Sequence, residues 1–317
     1  MKFRVHAIST TLLLACAMAA LASDPLPDPP AKLPEGDQGI AAKYPGDKGI
    51  DADPAVIFHD DFEGNDLQKK WENTFHNEYI RITTEPANVH GGSRALEFTS
   101  PKQEAELSNG VVKLFKQGQD VVFMRYYSKF DEGFDQLGSS HNGAGFSALA
   151  PGVPYSTPGI KADGKNKFIA TFEDWRDDPA TPSPGELNVY VYHPEQRSEW
   201  GDHFFPSGKV LPFTYKPGDY GPGFKARPDI MPKLGQWYCY EFMLKANTPG
   251  KRDGRIACWL DGKLIADFPN LRLRDVESLK INSASLGLHI KSNTIRENKK
   301  WYDDVVIATS YIGPEKL

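Results

Sequence analysis

The chain has 317 residues, a formal net charge of −5 at pH 7 and an aromatic content of 12%. Its lysines and arginines are not gathered into a basic block, so it lacks the electrostatic footprint of a protein that binds nucleic acid. About 260 residues remain once the segments before residue 56 are set aside, which is an ordinary size for a single all-β domain.

The first 22 residues are predicted to form a secretory signal peptide. They begin with the basic residues of "MKFR", continue through an apolar stretch and end in "ALA", a small-residue cleavage pattern. The stretch is shorter than the roughly 20 apolar residues that a membrane-spanning helix needs, and no later segment comes closer. We therefore expect a secreted or periplasmic protein without a membrane span. The letters "LLAC" leave one alternative open, a lipoprotein anchored through Cys16.

Residues 23–55 differ in composition from the rest of the chain. They are rich in Pro, Gly and Asp and contain very few residues that a core would bury. This composition is typical of a tether or of an extended or disordered arm. The folded domain is therefore predicted to span residues 56–317.

Short β-rich runs, separated by Gly, Pro, Asn and Asp, fill the predicted domain. The clearest of them are "AVIFHDDF", "YIRITTE", "RALEFTS", "DVVFMRYYSKF", "KFIATFEDW", "LNVYVYH", "WYCYEFMLK", "RIACWLDGKLI", "SASLGLHI" and "WYDDVVIATSYI". Runs at this spacing, with hardly any helical period, predict an all-β fold, a two-sheet antiparallel β-sandwich or jelly roll. Because the inner faces of both sheets build the core, a large ligand is expected on an outer face.

One predicted strand carries two tyrosines at alternate positions. In "NVYVYHPEQ", period two places Tyr190 and Tyr192 on one face, and Val189 and Val191 on the face that suits the core. The tyrosines are either a packed aromatic stripe or proton-transfer groups that line a groove.

Two cysteines remain after the signal peptide. Cys239 and Cys258 lie in two strand-like runs joined by the turn-rich "TPGKRD", and folding this hairpin about its middle brings them roughly opposite each other. They are either a cross-strand disulfide or two buried thiols.

Several motifs between Val56 and Pro314 together resemble those of one known family. They are "FMRYYSKFDEGFD", "WR" ahead of the "YVY" strand, the hairpin "GQWYCYEFMLKANTPGKRDGRIACWLDGKLI" and the C-terminal "WYDDVVIATSYIGP". Together they resemble the jelly-roll polysaccharide lyases of the alginate lyase and glucuronan lyase type. The resemblance implies a concanavalin A-like sandwich and cleavage of an acidic polysaccharide by β-elimination.

The chain departs from this family at the chemical positions. The family's G-G-K-L-P-G loop is replaced by "GSSHNGAGFSAL", which places His141 at or near the catalytic lysine of the family. Ala170 and Phe172 stand where the family has Ser and Arg, whereas the paired tyrosines carry over onto Tyr190 and Tyr192. The resemblance therefore implies a lyase for a polyuronate other than alginate.

The chemistry of β-elimination suits these residue types. The substrate carboxylate must be neutralised, a base must remove the C5 proton, and an acid must protonate the leaving glycosidic oxygen. His141 suits the base because imidazole titrates near 6.5, and one of the two tyrosines suits the acid. Asn142 and the glycines that follow it are predicted to hold the carboxylate through an amide and backbone N–H groups.

Other polar side chains are expected to bind the substrate or to line the same groove. They are Arg125, Lys161, Lys167, Glu173, Arg176, His193, Arg197 and His203. The alternatives are structural: His141 is an ordinary solvated loop histidine, the tyrosines are aromatic strand formers, and Arg125 pairs with an acid on the adjacent strand.

Two other functions remain open at this point, a non-catalytic carbohydrate-binding protein and a glycoside hydrolase that uses Glu173 or a neighbouring acid. No cofactor is required, and no group of His and Cys has the spacing of a structural zinc site. Asp60, Asp61, Asp303 and Asp304 are an alternative structural calcium site, because the terminal strands of such sandwiches are commonly neighbours. We expect a monomer whose partner is an acidic polysaccharide.

Overall fold

A computed structural model of the chain describes residues 31–316, apart from 65, 139, 156, 212–219, 222, 292 and 294. The predicted signal peptide, Cys16 and residues 23–30 of the predicted arm lie outside the described residues. The helices of the described part are short 3-10 turns: Gly36–Gln38, Ile40–Lys43, Pro45–Asp47, Ile50–Ala52, Leu67–Lys69, Asn77–Tyr79 and Pro86–Asn88. None of these helices is long and apolar enough to cross a membrane.

Strands make up most of the described domain. In chain order they are β1 (Val56–Asp60), β2 (Asn73–Phe75), β3 (Ile80–Thr83), β4 (Ala95–Ser100), β5 (Leu107–Gln119), β6 (Val121–Phe130), β7 (Ser140–His141), β8 (Ala144–Leu149), β9 (Lys167–Trp175), β10 (Glu186–Tyr192), β11 (Asp202–Phe204), β12 (Val210–Leu211), β13 (Tyr238–Lys245), β14 (Gly254–Leu260), β15 (Lys263–Leu271), β16 (Ile281–Ile290) and β17 (Asn298–Ala308).

The strands form two antiparallel sheets. Sheet A has the order β15-β14-β13-β6-β17-β4-β3, with β1 also paired to β17. Sheet B has the order β12-β11-β10-β9-β8-β16-β5-β2, with β7 also paired to β16. The predicted two-sheet antiparallel β-sandwich is confirmed.

Side chains of each strand alternate between the core and an outer face. In β9, Ala170 and Phe172 belong to the core between the sheets, so Thr171 between them faces outward. Rings from the two sheets meet in this core, where the centroids of Phe146 and Phe242 lie 4.6 Å apart. Ala170 and Phe172, which the resemblance places where the family has Ser and Arg, therefore face inward and cannot contact a ligand on the outer face of the sheet.

The segment from residue 31 to residue 55 lies against the outer face of sheet A. Ile40 and Ile50 are buried there in one apolar cluster with Trp259 of β14, and the Trp259 indole N–H donates to the Pro34 carbonyl at 2.9 Å. The structure therefore differs from the expected arm in this stretch. A few apolar residues at well-placed turns are enough to attach it to the sheet.

The two cysteines lie on opposite faces of the hairpin. The register of β13 with β14 pairs Cys258 with Phe242, a core residue, and Cys239 is three positions away from Phe242. An odd separation along a strand reverses the face, so the two thiols cannot meet. Both cysteines are buried and free, which excludes the disulfide and confirms the alternative of two buried thiols.

Candidate active site

A groove of about 950 Å³ crosses the outer face of sheet B. The register places Tyr190, Thr171, Gly145 and Ser285 side by side on β10, β9, β8 and β16, and all four line the groove. A polymer that follows the groove therefore runs across the strands.

Glycines from neighbouring strands form part of the floor of this groove. Gly143, Gly145, Gly287 and Gly110 all line it, and Gly287 pairs directly with Gly110. The Gly287 amide also donates a hydrogen bond to the Gly143 carbonyl at 3.0 Å. We call these four residues the glycine trough. Because they carry no side chains, a sugar chain can approach the backbone closely.

Five groove-lining rings gather at one side of the glycine trough. The centroid of His141 lies 4.6 Å from that of Tyr190 and 5.2 Å from that of His289. Tyr190 in turn lies 4.6 Å from His203 and 5.4 Å from Tyr192. The structure thus brings the predicted base and both predicted acids into one groove, although they come from distant parts of the chain.

His141 is oriented by a buried carboxylate. Its Nδ1 lies 2.9 Å from Oε2 of Glu173, whose side chain has no exposed surface, whereas the His141 side chain is 34% exposed. A ring that donates through Nδ1 keeps Nε2 as its free basic nitrogen. Burial by itself would lower the pKa of His141, but the charge and hydrogen bond of Glu173 outweigh it, and the pKa is raised.

The two neighbouring histidines stay neutral. The pKa of His203 is lowered to about 3 and that of His289 to about 4. Burial is the larger cause in both cases, and the positive charge of protonated His141 is the smaller one. His203 Nδ1 lies 2.9 Å from the side-chain oxygen of Asn188, which fixes its ring beside Tyr190. These neutral imidazoles can hydrogen-bond sugar hydroxyls or a carboxylate without competing for the proton of His141.

The tyrosines have different surroundings. The Tyr190 hydroxyl accepts a hydrogen bond from the Gly201 amide at 3.0 Å, and burial, with the hydrogen bond to Tyr192, raises the pKa of Tyr190. Tyr192 packs against Lys167, whose ammonium lies 4.2 Å from the ring centroid. Tyr190 therefore keeps its proton at neutral pH, and its ring lies beside that of His141.

Lys167 and Asn142 lie beneath the groove lining. The Lys167 ammonium donates to the Thr157 carbonyl at 2.9 Å, and burial lowers the pKa of this lysine to about 8. The side-chain oxygen of Asn142 accepts from the Asp174 amide at 3.0 Å, and the Asn142 residue is 1% exposed. The predicted role of Asn142 in holding the substrate carboxylate is wrong, because its amide is used inside the sandwich.

Three predicted substrate-binding residues lie elsewhere and are bound to other parts of the protein. Arg125 is fully buried on the far side of sheet A, where it pairs with Asp47. Arg176 donates to Asp135 at 2.6 Å and to backbone carbonyls of its own loop. His193 faces inward, with Nε2 3.0 Å from Asp202. These three predictions are wrong.

Lys161 and Arg197 are exposed on loops and do not line the groove. Both lie within a few residues of groove-lining positions in the sequence, and this proximity made them candidates. Their predicted contact with substrate is not supported by this placement.

His289 is a groove residue that the sequence analysis missed. It shares its face of β16 with Ser285 and Gly287, whereas Leu286 and Leu288 between them are core residues. Small or polar residues at alternate positions of an otherwise apolar strand are the signal that would have found it.

The aspartates proposed for calcium do not gather as one group in the described part of the chain. The expected neighbourhood of the terminal strands is present, since β1 pairs with β17. Asp60, however, accepts from the Lys70 ammonium at 2.9 Å and from the Trp71 indole at 2.8 Å. The described residues whose potential ligand atoms lie within 4.8 Å of one another are His90, Asp304 and Glu315. The calcium site stays a prediction.

Comparison with known proteins supports the fold. No protein-family model matches the chain, and no curated protein matches it by sequence. Among solved structures, the alginate lyase Aly36B is similar, with 17% identity and a TM-score of 0.55 over 83% of this chain and 96% of its own. An endo-β-1,4-glucuronan lyase from the fungus Trichoderma reesei has 16% identity and a TM-score of 0.52 over 80% of this chain and 96% of its own. A marine alginate lyase from Aplysia kurodai has 14% identity and a TM-score of 0.54 over 80% of this chain and 99% of its own. The chain therefore shares the jelly-roll fold of these polysaccharide lyases.

Proposed function

We propose that this protein is a secreted or periplasmic lyase that cleaves an acidic, uronate-containing polysaccharide by β-elimination. The observation that carries the proposal is the position of His141, with Nδ1 on buried Glu173 and its ring beside Tyr190 in a groove long enough for a polymer. The shared fold supports it, because the similar structures are named as lyases of alginate and glucuronan.

The proposed reaction assigns one role to each residue. Nε2 of His141 removes the proton at C5, and the released electron pair forms the C4–C5 double bond as the C4–O bond breaks. The Tyr190 hydroxyl donates its proton to the leaving glycosidic oxygen. The substrate carboxylate, which makes the C5 proton acidic, is stabilised by neutral His289 and by Lys291, which both line the groove.

A glycoside hydrolase is less well supported. Hydrolases of the retaining and inverting types need two carboxyl groups beside the scissile bond. Glu173, the acid that sequence analysis offered, has no exposed surface and lies beneath His141. It therefore supports the histidine and cannot reach a glycosidic oxygen.

The test uses the chain without residues 1–22, incubated with glucuronan, alginate, pectate and glycosaminoglycans. Elimination creates an unsaturated uronate, which absorbs in the ultraviolet, and hydrolysis does not. We expect His141→Ala to abolish product and Tyr190→Phe to lower the rate by ~10²-fold or more. Tyr192→Phe is the matched control on the same strand and should retain more activity than Tyr190→Phe.

Each contrary outcome identifies a different error. Unchanged activity of His141→Ala would remove the assignment of the base. New reducing ends without ultraviolet absorbance would indicate a hydrolase. Binding of polysaccharide by wild type without any product would indicate a carbohydrate-binding protein.

A further inference from the structure

Two aromatic rings stack at the end of the groove that is remote from Tyr190. Phe75, in the edge strand β2, leaves 41% of its surface exposed. Its ring centroid lies 5.8 Å from that of Tyr155, with an angle of 22° between the ring planes, and both residues line the groove. The exposed part of the Phe75 ring lies in the groove, where a ligand can contact it.

Tyr155 is fixed to the groove floor. It belongs to the loop after β8, and its hydroxyl is hydrogen-bonded to Ser285 and Ser147, on β16 and β8. Ser285 is the direct neighbour of Gly145 in the glycine trough. The aromatic pair is therefore continuous with the floor that leads to His141, and its position is held before any ligand binds.

The order of the strands sets the distance from the reacting groups to this pair. His141 lies in β7, which occupies the same side of β16 as β8 does, and from there the groove crosses β16 and β5 before it reaches β2. At about 4.8 Å per strand spacing these three steps are ~14 Å, the length of about three sugar residues in an extended chain.

The chemistry of the pair favours a sugar ring. The C–H groups on one face of a pyranose are weakly positive and apolar, and the face of an aromatic ring is negative and apolar. His76 lines the groove beside Phe75 and offers ring nitrogens to the hydroxyl groups at the sugar edge.

We infer that Phe75 and Tyr155 form a distal subsite that stacks one pyranose ring of the polyuronate chain, about three residues from the bond that is cleaved. This inference rests on the proposed lyase function and deepens it, because it makes the protein selective for long chains. A disaccharide bound near His141 is too short to reach the aromatic pair.

Binding is tested in the His141→Ala background, where no substrate is consumed. Isothermal titration compares a disaccharide and an octasaccharide of glucuronan, and of alginate. We expect Phe75→Ala to weaken octasaccharide binding by about tenfold and to leave disaccharide binding unchanged. Tyr155→Phe keeps the ring but removes its hydrogen bonds to Ser285 and Ser147, so it should give a smaller loss in the same direction. The control is Leu114→Ala, an exposed position (44%) on the adjacent strand β5 that does not line the groove.

The inference and the lyase function fail in different ways. The subsite would be overturned if Phe75→Ala weakened binding equally for both oligosaccharide lengths, if it weakened binding for neither, or if none of the four oligosaccharides bound at all. In the His141-containing enzyme, Phe75→Ala should raise KM for polymer about tenfold with kcat unchanged. If wild type forms no unsaturated product while the length-dependent loss of binding persists, the subsite stands and the lyase function is overturned.

Discussion

The proposed general base consists of two residues, the accessible ring of His141 and the inaccessible carboxylate of Glu173. The histidine presents its surface to the groove, and Glu173 holds it by a 2.9 Å contact without being exposed itself. A general base works best when its pKa lies near the working pH. Burial and Glu173 act on the His141 pKa in opposite directions, and the carboxylate prevails. Removing the negative charge should therefore leave burial as the dominant effect.

Glu173→Gln should move the acid limb of kcat/KM to lower pH by about one unit or more. The neutral form of His141 is the base, so activity rises as pH increases through its pKa, and a lower pKa places this rise at lower pH. The substitution keeps an acceptor for Nδ1 but removes the charge. The measurement is the pH profile of unsaturated product formation on polymer.

The matched control is Glu186→Gln on the same sheet, at a glutamate that pairs with Lys209 at 2.6 Å and is absent from the groove lining. Its profile should coincide with that of wild type. An acid limb that stays in place in Glu173→Gln, or moves to higher pH, would show that Glu173 does not control the base.

At the scale of strands, side chains of β17 in sheet A extend through the core to Asn142, which directly follows His141 and β7. The Lys300 ammonium donates to the carbonyl of Asn142, and the Tyr302 hydroxyl lies 3.0 Å from that carbonyl and 2.8 Å from the carbonyl of Gly287. Asp174 lies close to this buried lysine, and the attraction between their charges favours the ionised form of each. Burial is the larger effect, since it raises the pKa of Asp174 and lowers that of Lys300. The residue that follows His141 is thus fixed from the opposite sheet.

Tyr302→Phe should lower kcat by about tenfold and leave KM nearly unchanged, because a small displacement of the base slows proton transfer more than it weakens binding. The lost hydrogen bond should cost about 0.5–1.5 kcal/mol of unfolding free energy. The control is Tyr311→Phe, whose hydroxyl donates to the Gly36 carbonyl at 3.0 Å on the outer face of sheet A. It should lose similar stability without the kinetic change. Equal kinetic effects in the two variants would reduce Tyr302 to a structural role.

The same scale shows what the sequence made predictable. Period two in β10 correctly placed Tyr190 outward and Val191 inward, because that strand alternates throughout. In β9, the same period fixes the face of every residue once the face of one residue is known. Matching to the family motif nevertheless selected Ala170 and Phe172, which face inward. The placement of Asn142 could not be read at all, since it depends on Lys300, which is 158 residues away.

For the whole molecule, the two outer faces of the sandwich have different tasks. Sheet B carries the groove, and sheet A is covered by residues 31–55. Beneath this cover, Arg125 has no exposed surface and pairs with Asp47, while Glu241 lies opposite Arg125 on β13. Glu241 also accepts from the amides of Ile312 and Gly313, so both ends of the described chain meet at this arginine. No local pattern around Arg125 indicates such a cover, because Asp47 lies 78 residues away.

Arg125→Met should therefore affect stability and leave catalysis unchanged. It leaves the buried carboxylates of Asp47 and Glu241 without their counter-charge, which should cost about 3–5 kcal/mol of unfolding free energy, measured by denaturant titration. Asp47→Leu combined with Arg125→Met removes one of these carboxylates and should recover part of the loss. At a temperature where each variant is fully folded, kcat/KM on polymer should equal that of wild type, because the sandwich core separates Arg125 from the groove. A fall in kcat/KM with unchanged stability would instead place Arg125 in contact with the substrate.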